Sequence, residues 1–560
     1  MSQAGLRALF QSLGAHLPIR GGEALVAEGE ESHSLYLLDA GRIAAIDQSG
    51  ENAGRVLAVH RPGAIIGGAE MLSGARHPAT LTSLRDSALR VLTRASLEPI
   101  LLDQPMILAE LARMCLAPMR EPTAAPARKA SILGFVAVCE SVAMRAMVVA
   151  LAEGLRTGGA AVTVLGAESD GPSAEALSRL EAEHDFVLMA AERGDEAFTQ
   201  YCGRQIDRLV LAGSAHSPLP EGPLTFAAAA IRRHRLLDFI LIQPAGIERP
   251  TNSSRWLTAA PFARVFQMRA GDGRDLERLA RVFAGRSIGL ALSGGGARAY
   301  AHIGVLRALE EMGVTPDFLT GTSMGAVIAA GVAMGWGQDE LDRRIRETFV
   351  DSSPLSDIAF PLVAMTHGRE VEERLETHFG ETMISDLWRP FACVSTDLTT
   401  GDAFTHRSGL LRGALRASIS LPGLLPPVVI DGHVHVDGAL VANLPVDLLR
   451  EQHDGRNIAV DVAEMSGLTP AELELKPGGL RWITSGAFLK GPPIVSVLIR
   501  SATLPAVRSA HEHRPDPLEI AINPQLDAVQ LQDWKAYDLA VEAGYRAAMA
   551  QAERLMAAKG

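Results

Sequence analysis

Residues 324–336, with the sequence MGAVIAAGVAMGW, contain small and apolar side chains and no charged one. A run of this kind would have to reach ~18 residues to span a bilayer, and this one is shorter. We therefore expect a buried helix that packs closely on a sheet, because glycine and alanine let two backbones approach each other. The segment before it, DFLTG (317–321), has the composition of a strand, so a strand and a buried helix follow each other directly.

The same alternation of strand and helix patterns extends over most of the chain after Ser131. Runs such as ILGFVAV (132–138) and AVTVL (161–165) alternate with helical segments. Such alternation predicts a parallel sheet covered by helices, which is an α/β fold. A further α/β segment begins near Ser287 with SIGLAL. Between about residues 20 and 100, short β segments separated by turn residues predict a β-rich domain instead.

The length of 560 residues predicts roughly two to four domains. We expect a β-rich domain at 1–120, a first α/β domain at 131–275 and a second α/β domain at 285–560. The polar stretch at 118–130, rich in proline and alanine, is the expected linker between the first two.

Charge and cysteine content argue against several classes of protein. The net charge of −12 disfavours a broad nucleic-acid surface, which requires clustered lysine and arginine. The four cysteines are far apart and lack C-x-x-C spacing, so we expect reduced thiols in a cytoplasmic protein. The N-terminal residues lack a charged segment followed by an apolar run, so no signal peptide is expected. Any membrane contact should be peripheral.

A glycine-rich loop, SGGGARA (293–299), follows the predicted strand SIGLAL (287–292) and precedes a helical pattern. Consecutive glycines at such a place let backbone N–H groups point into a common space, where they bind an anion. Gly294, Gly296 and Ala299 fit the dinucleotide fingerprint G-x-G-x-x-A. The same loop would also serve as an oxyanion hole. A third interpretation is a turn that only allows strand and helix to pack closely.

The end of the next strand favours the oxyanion hole. A dinucleotide fold places an acidic residue there to bind the ribose, whereas this chain has the pentapeptide GTSMG (321–325). This pentapeptide has the G-x-S-x-G form of a nucleophile elbow, with Ser323 on a sharp turn between strand and helix. Gly321 and Gly325 are the small residues that such a turn requires. The alternative is a chance match in a chain with 53 glycines.

The sequence does not identify a histidine that would accept the proton of Ser323. Several histidines follow Ser323, but none lies where the last member of a Ser–Asp–His triad is expected. His453, for example, lies in the polar stretch REQHDGRN, which predicts a solvated turn. Asp437, in contrast, ends a predicted strand and precedes a turn into a helix.

A metal site is an alternative role for the same strand. Asp431, His433, His435 and Asp437 recur at a spacing of two, which places their side chains on one face of a strand. Clusters of aspartate and histidine can bind a metal ion. Since no second group of ligands is visible, we favour a polar strand face near the mouth of a site and expect no metal.

The sequences GGGARA (294–299), GTSMG (321–325) and DGA (437–439), in that order, resemble the motifs of the patatin-like phospholipase family. The flanking sequences are similar to those of bacterial relatives of neuropathy target esterase. The resemblance implies a patatin-like α/β/α catalytic domain in which a Ser–Asp dyad replaces the triad. It assigns the nucleophile to Ser323 and the base to Asp437.

The resemblance also assigns the oxyanion hole to the glycine-rich loop. It implies that Gly294, Gly295 and Gly296 form the hole and that Arg298 is the arginine of the family's motif. Ala299 stands where the motif normally has glycine, a departure that would narrow the loop without removing an N–H donor.

The β-rich N-terminal segment resembles a β-roll of the cyclic-nucleotide-binding type, with PGAIIGGAEMLSGARHPATL (62–81) over the phosphate cassette. The family's cassette uses a glutamate for the ribose and an arginine for the cyclic phosphate. Those positions fall on Gly68 and His77. A phosphate needs a permanent cation or several donors, so a regulatory or packing role is favoured over cyclic-nucleotide binding.

The middle α/β segment resembles the region that precedes the catalytic domain in relatives of neuropathy target esterase. It is similar to the sheet of a P-loop ATPase, but GFVAV is followed by CESVAMRAM in place of the Walker glycines and lysine. We therefore expect no nucleotide there.

The expected function is that of a serine esterase that hydrolyses acyl esters of phospholipids or lysophospholipids without a cofactor. Peripheral contact at the inner membrane face would use the apolar segment 355–365 or 482–499. One alternative is a catalytically silent signalling protein that senses a lipid or another ligand. Another is a dinucleotide-binding oxidoreductase that uses the glycine-rich loop.

Overall fold

The computed structural model describes residues 4–48, 54–103, 105–116, 132–167, 171–219, 236–258, 262–351, 357–359, 363–463 and 516–558. These residues belong to two compact units, the first formed by 1–240 with 255–263 and the second by 241–254 with 264–560. The predicted linker at 118–130 and the segment 482–499 lie outside the described residues. The finer division into three domains stays a prediction.

The first unit begins with an antiparallel sheet in which long strands pair with short ones. Its strands are β1 (Ala15–Ile19), β2 (Ala24–Val26), β3 (Ser34–Ile46), β4 (Val56–His60), β5 (Ile65–Ile66) and β6 (Thr80–Thr93). The order is β1-β6-β3-β4, with β2 on β6 and β5 on β3. The helices beside this sheet are α1 (Ala4–Leu13), α2 (Gly68–Ser73), α3 (Arg94–Asp103) and α4 (Pro105–Leu116). Alternating burial along β6 shows one face of the strand turned to the core.

The first unit continues with the predicted parallel sheet. Its elements are β7 (Ile132–Ala137), α5 (Met144–Thr157), β8 (Val162–Gly166), α6 (Ala174–Glu183), β9 (Phe186–Ala191), α7 (Glu196–Gln205) and β10 (Arg208–Ser214). Strands β10, β7, β9 and β8 pair in parallel in that order. Every residue of β7 and β9 is buried, which explains their uninterrupted apolar sequences. Both β11 (Leu236–Gln243) and α8 (Ser253–Leu257) contribute residues to each unit.

The second unit contains the larger α/β sheet. The unit also contains β12 (Arg264–Arg269), which is not part of this sheet. The strands of the sheet are β13 (Ile288–Leu292), β14 (Phe318–Thr322), β15 (Phe391–Asp397), β16 (Ala403–His406), β17 (Val428–Ile430), β18 (His433–Asp437), β19 (Arg456–Val460) and β20 (Glu519–Ile522). The sheet order is β17-β18-β15-β14-β13-β19-β20, with β16 on β15. Strands β13, β14, β15, β19 and β20 are parallel, whereas β16 and β18 run antiparallel to β15.

The helices of the second unit alternate with its strands. They are α9 (Gly273–Phe283), α10 (Ala301–Glu311), α11 (Met324–Met334), α12 (Gln338–Ile345), α13 (Arg369–Phe379), α14 (Leu411–Ser418), α15 (Asp447–Arg450), α16 (Tyr537–Met549) and α17 (Ala552–Ala558). All residues of α11 are buried, so the helix predicted from the sequence MGAVIAAGVAMGW is confirmed. Among the helices of the described residues, none has the length and apolar character that a membrane crossing requires.

The register of the parallel strands determines where functional groups meet. Leu292 of β13 lies opposite Gly321 of β14, and Thr322 of β14 lies opposite Val394 of β15. The carboxyl ends of these three strands are therefore at one edge of the sheet. In α/β sheets this edge is where ligands bind.

Candidate active site

Ser323 lies at the sharp turn between β14 and α11. Its backbone has φ of 54° and ψ of −129°, and a positive φ is rare for a residue with a side chain. A conformation of this kind costs about 1–3 kcal/mol and persists only where the surroundings hold it in place. The backbone at Ser323 therefore has the sharp, strained turn between strand and helix that the sequence predicts.

The glycines on both sides of Ser323 are required by close backbone contacts. A Cβ atom at Gly321 would lie 2.7 Å from backbone atoms of Ala326. At Gly325 a Cβ would overlap the carbonyl oxygens of Ser293 and Leu292. Any larger residue would push α11 away from β14 and from the glycine-rich loop, and the turn would open.

Asp437 is the hydrogen-bond partner of the Ser323 hydroxyl. Ser323 Oγ donates to Asp437 Oδ2 at 2.6 Å, and Asp437 Oδ1 accepts from the Ala439 N–H at 2.9 Å. Ser323 is 6% exposed and Asp437 is fully buried. The fold thus brings together two residues that are 114 positions apart in the sequence.

Burial changes the acid–base character of Asp437. Removal from water raises the pKa of its carboxyl from 3.8 to about 7, although the hydrogen bonds from Ser323 and the Ala439 N–H act in the opposite direction. A carboxylate with an ordinary pKa is a weak base, whereas one with a pKa near neutrality is matched to proton transfer at physiological pH.

The glycine-rich loop lies directly against Ser323. A Cβ at Gly294 would lie 3.1 Å from Ser323 Cβ and 2.7 Å from Asn443 Oδ1, so only glycine fits. The Gly294 N–H donates to the backbone oxygen of Asn443 at 3.2 Å. In the part of the chain that the structure describes, the N–H groups of Gly295 and Gly296 have no hydrogen-bond partner. These two groups are the available anion donors of the loop.

Arg298 fixes this loop to neighbouring backbone. Its guanidinium donates to the carbonyl oxygens of Val462, Leu526 and Val529 at 2.8 to 2.9 Å, and the side chain is 7% exposed. All these partners are acceptors within the fold, so the side chain stabilises the shape of the loop. Ala299, which departs from the family motif, is fully buried beside it.

The comparisons with known proteins agree with these motifs. Residues 290–450 match the patatin-like phospholipase model and residues 17–104 match the cyclic nucleotide-binding domain model. The chain is 33% identical over 555 residues to an uncharacterized NTE family protein of Mycobacterium tuberculosis, covering 96% of this chain and 91% of that protein. The chain belongs to the NTE family. Both predicted resemblances, to the patatin-like family and to the cyclic-nucleotide-binding β-roll, are thereby confirmed.

Longer animal members of the NTE family are also similar. The patatin-like phospholipase domain-containing protein 6 of Mus musculus is 26% identical over 598 residues, which cover 94% of this chain and 44% of that protein. The neuropathy target esterase sws of Drosophila melanogaster is 26% identical over 593 residues, covering 94% and 42% of the two chains. This chain therefore spans less than half the length of these two relatives.

The histidines of the described residues in this NTE family chain contact partners other than Ser323 and Asp437. Among the described residues, no histidine is hydrogen-bonded to Ser323 or Asp437. His453 is 5% exposed, stacks on Phe318 with ring centroids 4.7 Å apart and contacts Ser287 Oγ at 3.0 Å. The prediction of a solvated turn at His453 is wrong, because the ring fills a space in the core that the local polar sequence does not reveal.

The polar residues on β18 serve separate partners. His433 Nδ1 lies 2.7 Å from Asp397 Oδ2, and His435 Nδ1 lies 2.9 Å from Ser395 Oγ, whereas Asp437 binds Ser323. Within the described residues, no group of three or more such side chains is arranged to hold a metal ion. The alternation along the strand is therefore a set of independent hydrogen bonds.

Several supporting residues were not predicted from the sequence. His302 is fully buried, burial lowers its pKa to about 4, and its neutral ring donates from Nε2 to the Ser293 carbonyl at 2.9 Å. Asn443 contacts the loop through its backbone oxygen, and Ser418 Oγ accepts from the Ser323 N–H at 3.0 Å. The sequence ASISLPG (417–423) between the elbow and the DGA motif was the only available signal for Ser418.

Proposed function

We propose that this chain is a serine esterase that hydrolyses acyl esters of phospholipids or lysophospholipids. Ser323 is the nucleophile and Asp437 is the base of a Ser–Asp dyad. The observation that supports this most directly is the 2.6 Å hydrogen bond from Ser323 Oγ to Asp437 Oδ2. The match to the patatin-like phospholipase model and a relative named neuropathy target esterase support the class of reaction.

In the first half of the reaction the acyl group moves to the enzyme. Ser323 Oγ attacks the carbonyl carbon of the ester while its proton moves to Asp437. The tetrahedral intermediate then collapses, and the bond between the carbonyl carbon and the alcohol oxygen breaks. The alcohol leaves with the proton from Asp437, and the acyl group remains on Ser323 as an ester.

In the second half a water molecule hydrolyses the ester between the acyl group and Ser323. Asp437, ionised again, accepts a proton from water as the water oxygen attacks the acyl carbon. When the intermediate collapses, Ser323 Oγ leaves and takes back a proton from Asp437. The products are a fatty acid and the regenerated enzyme.

Negative charge on the intermediate is stabilised by the glycine-rich loop. The free N–H groups of Gly295 and Gly296 are the proposed oxyanion donors, since the Gly294 N–H is already bonded to Asn443. The N-terminus of α11, directly behind Ser323, adds partial positive charge. Donors that are fixed before the reaction need no reorganisation when the charge develops, which is why such groups are effective.

Lipid access is the second part of the proposal. Ile358 and Val363 are 67% and 69% exposed and belong to the apolar segment predicted to contact a membrane. The neighbouring Met365 donates its N–H to Gly423 O at 2.9 Å, in the loop that follows α14. We propose that Ile358 and Val363 contact the lipid surface from which the substrate is taken.

A lipid-panel hydrolysis assay with wild-type protein and Ser323→Ala tests the proposed function. Phospholipids and lysophospholipids of several headgroups are supplied, and released fatty acid is measured. We expect release by the wild type and none above background by Ser323→Ala. If the wild type releases no fatty acid from any lipid of the panel, the esterase proposal is wrong and the silent sensing protein is favoured.

A further inference from the structure

Ser418 is the last residue of α14, and its hydroxyl lies between the nucleophile and the neighbouring strand. Ser418 Oγ accepts from the Ser323 N–H at 3.0 Å and donates to Val394 O at 2.7 Å. The side chain is fully buried. A serine hydroxyl has one donor and two acceptor sites, so both bonds are formed by one group in its ordinary state.

This hydroxyl occupies a place where the sheet ladder stops. Thr322 of β14 still lies opposite Val394 of β15, but the chain turns away from the strand at Ser323. The Ser323 N–H and the Val394 carbonyl would be left without partners at this turn, because both are inside the fold. The Ser418 hydroxyl joins them, as a bridging water would.

The bond to Ser418 is made by the backbone of Ser323, which has an unfavourable conformation. Ser323 has its φ in the left-handed region, which is unfavourable for a residue with a Cβ. Since the N–H that is fixed belongs to the nucleophile itself, the bond limits rotation of the peptide that sets the direction of Cα–Cβ. The position of Ser323 Oγ relative to Asp437 depends on this direction.

The same segment also holds the backbone of the base. The Asp437 N–H donates to the carbonyl oxygen of Ser420 at 2.9 Å, and Ser420 is only two residues after Ser418. On the other side, Thr396 Oγ1 donates to the Asp437 carbonyl at 2.9 Å. Residues 418–420 thus contact the backbone of both members of the dyad and fix the distance between them.

We propose that Ser418 is a positioning residue that keeps Ser323 in the strained elbow and at hydrogen-bond distance from Asp437. The inference rests on the proposed function, because it assigns a role in the reaction of Ser323. It also implies that the Ser323 N–H is no oxyanion donor, since that group is bonded to Ser418. The donors of the glycine-rich loop then have to stabilise the intermediate.

Three substitutions at Ser418 separate the hydroxyl from the volume of the side chain. Ser418→Ala removes the hydroxyl, Ser418→Cys keeps a similar volume with a weak hydrogen-bonding group, and Ser418→Thr keeps a hydroxyl. Ser287→Ala is the matched control, because Ser287 is also fully buried and its hydroxyl bonds to His453 Nδ1, next to the amino end of β13. The kcat and KM for lysophospholipid hydrolysis are measured together with Tm.

Active enzyme is counted by titration with a fluorophosphonate, so that a loss of folded protein is not mistaken for a loss of rate. For Ser418→Ala and Ser418→Cys we expect kcat per active site to fall about 10²-fold with KM little changed, which is the effect of a small misplacement of a reacting group. Ser418→Thr should recover most of the rate, and Ser287→Ala should keep it. If Ser418→Ala does not fold, the comparison of Ser418→Cys with Ser418→Thr gives the same decision.

The inference is wrong if Ser418→Cys and the wild type have equal kcat per active site, even when their Tm values differ. It is also wrong if Ser287→Ala loses as much rate as Ser418→Cys, since the effect would then follow from the loss of any buried serine hydroxyl and not from the position of Ser418 beside Ser323. A wild type that neither hydrolyses lipid nor reacts with the fluorophosphonate would overturn the proposed function together with this inference. Activity in the wild type with no effect at Ser418 would overturn only the inference.

Discussion

At the sheet edge of the second unit that carries Ser323, two residues 114 positions apart lie 2.6 Å from each other through Ser323 Oγ and Asp437 Oδ2. In the cassette segment of the first unit (62–81), neighbouring charged groups bind other partners. Arg76 is bonded to Glu31 Oε1 and to the Gly29 carbonyl, each at 2.8 Å, and its side chain is 64% exposed. His77, at the position of the phosphate-binding arginine, is only 4% exposed. Both regions match a family model, but only one assembles the groups that the motif requires.

The difference teaches that a family match and a functional site are separate findings. The β-roll keeps its strands because apolar residues such as Leu35 and Leu92 are buried in its core, and this does not require a ligand. The proposed Ser–Asp dyad, in contrast, depends on specific atoms at hydrogen-bond distance, and Ser323 Oγ and Asp437 Oδ2 are at that distance. The predictions test this contrast from both sides.

The largest effect is expected from Asp437→Asn. The amide has nearly the same shape but cannot accept the proton of Ser323, so loss of general-base catalysis should lower kcat by about 10²–10⁴-fold. Hydrolysis of a lysophospholipid measures the rate, and circular dichroism checks the fold. Retention of more than about a tenth of the wild-type kcat would mean that another group, such as a histidine, is the base.

The pH dependence of kcat/KM is the second prediction. Asp437 must be ionised to accept a proton, and burial raises its pKa to about 7. The rate should therefore fall about tenfold for each pH unit below that value and level off above it. An acid limb centred near the ordinary carboxyl pKa of 3.8 would contradict the raised pKa.

The raised pKa of Asp437 also affects stability: the rate increases with pH, whereas the free energy of unfolding decreases. Between pH 3.8 and about 7 the folded state holds a proton that the unfolded state has lost, so stability falls as pH rises through this window. Asp437→Asn lacks this penalty. We compare the free energy of unfolding of Asp437→Asn with that of the wild type by urea unfolding at two pH values. The difference, variant minus wild type, should be larger at about pH 8 than at about pH 4.

Lipid access gives a smaller effect. Ile358→Asp should reduce hydrolysis of lipid in vesicles on the order of tenfold, because a buried apolar side chain contributes about 1.5–3 kcal/mol. Hydrolysis of a soluble short-chain ester should be unchanged. Leu102→Asp is the matched control, since Leu102 is 85% exposed on α3 of the first unit. Equal losses in the two variants, or a loss on the soluble ester, would contradict the contact at Ile358.

The smallest effect is expected at the β-roll cassette. Calorimetry with cAMP should give no binding heat, because Arg76 is paired and His77 is a weak substitute for a permanent cation. His77→Ala should change kcat by less than about twofold, as for most substitutions away from a site. Tight cAMP binding would contradict the contrast between the two regions. It would show that the cassette binds the phosphate with donors other than those that the family uses.

The sequence was sufficient to predict those structural elements that depend on a local pattern of residues. The small and apolar residues of α11 predicted a buried helix, and the uninterrupted apolar run of β7 predicted a strand of a parallel sheet. The sharp turn at Ser323 was also predicted, since Gly321 and Gly325 flank Ser323 at a strand–helix junction. Each of these inferences uses neighbouring residues only, and the backbone geometry follows from their size and polarity.

The remaining features depend on contacts between distant segments. The pairing of Ser323 with Asp437 followed from a family resemblance, since nothing in local composition links positions so far apart. The roles of Ser418 and His302 could not be predicted, because each is a lone polar residue whose partner is fixed only by packing. His453 was predicted as solvated for the same reason, as its neighbours are polar although its ring stacks on Phe318.

The most direct test of the Ser–Asp dyad is covalent labelling with a fluorophosphonate, followed by mass spectrometry of the labelled peptide. The dyad predicts one adduct on Ser323 in the wild type, no adduct on this peptide in Ser323→Ala, and much slower labelling of Ser323 in Asp437→Asn. An unlabelled wild type, an adduct on a different residue, or equal labelling of wild type and Ser323→Ala would contradict it.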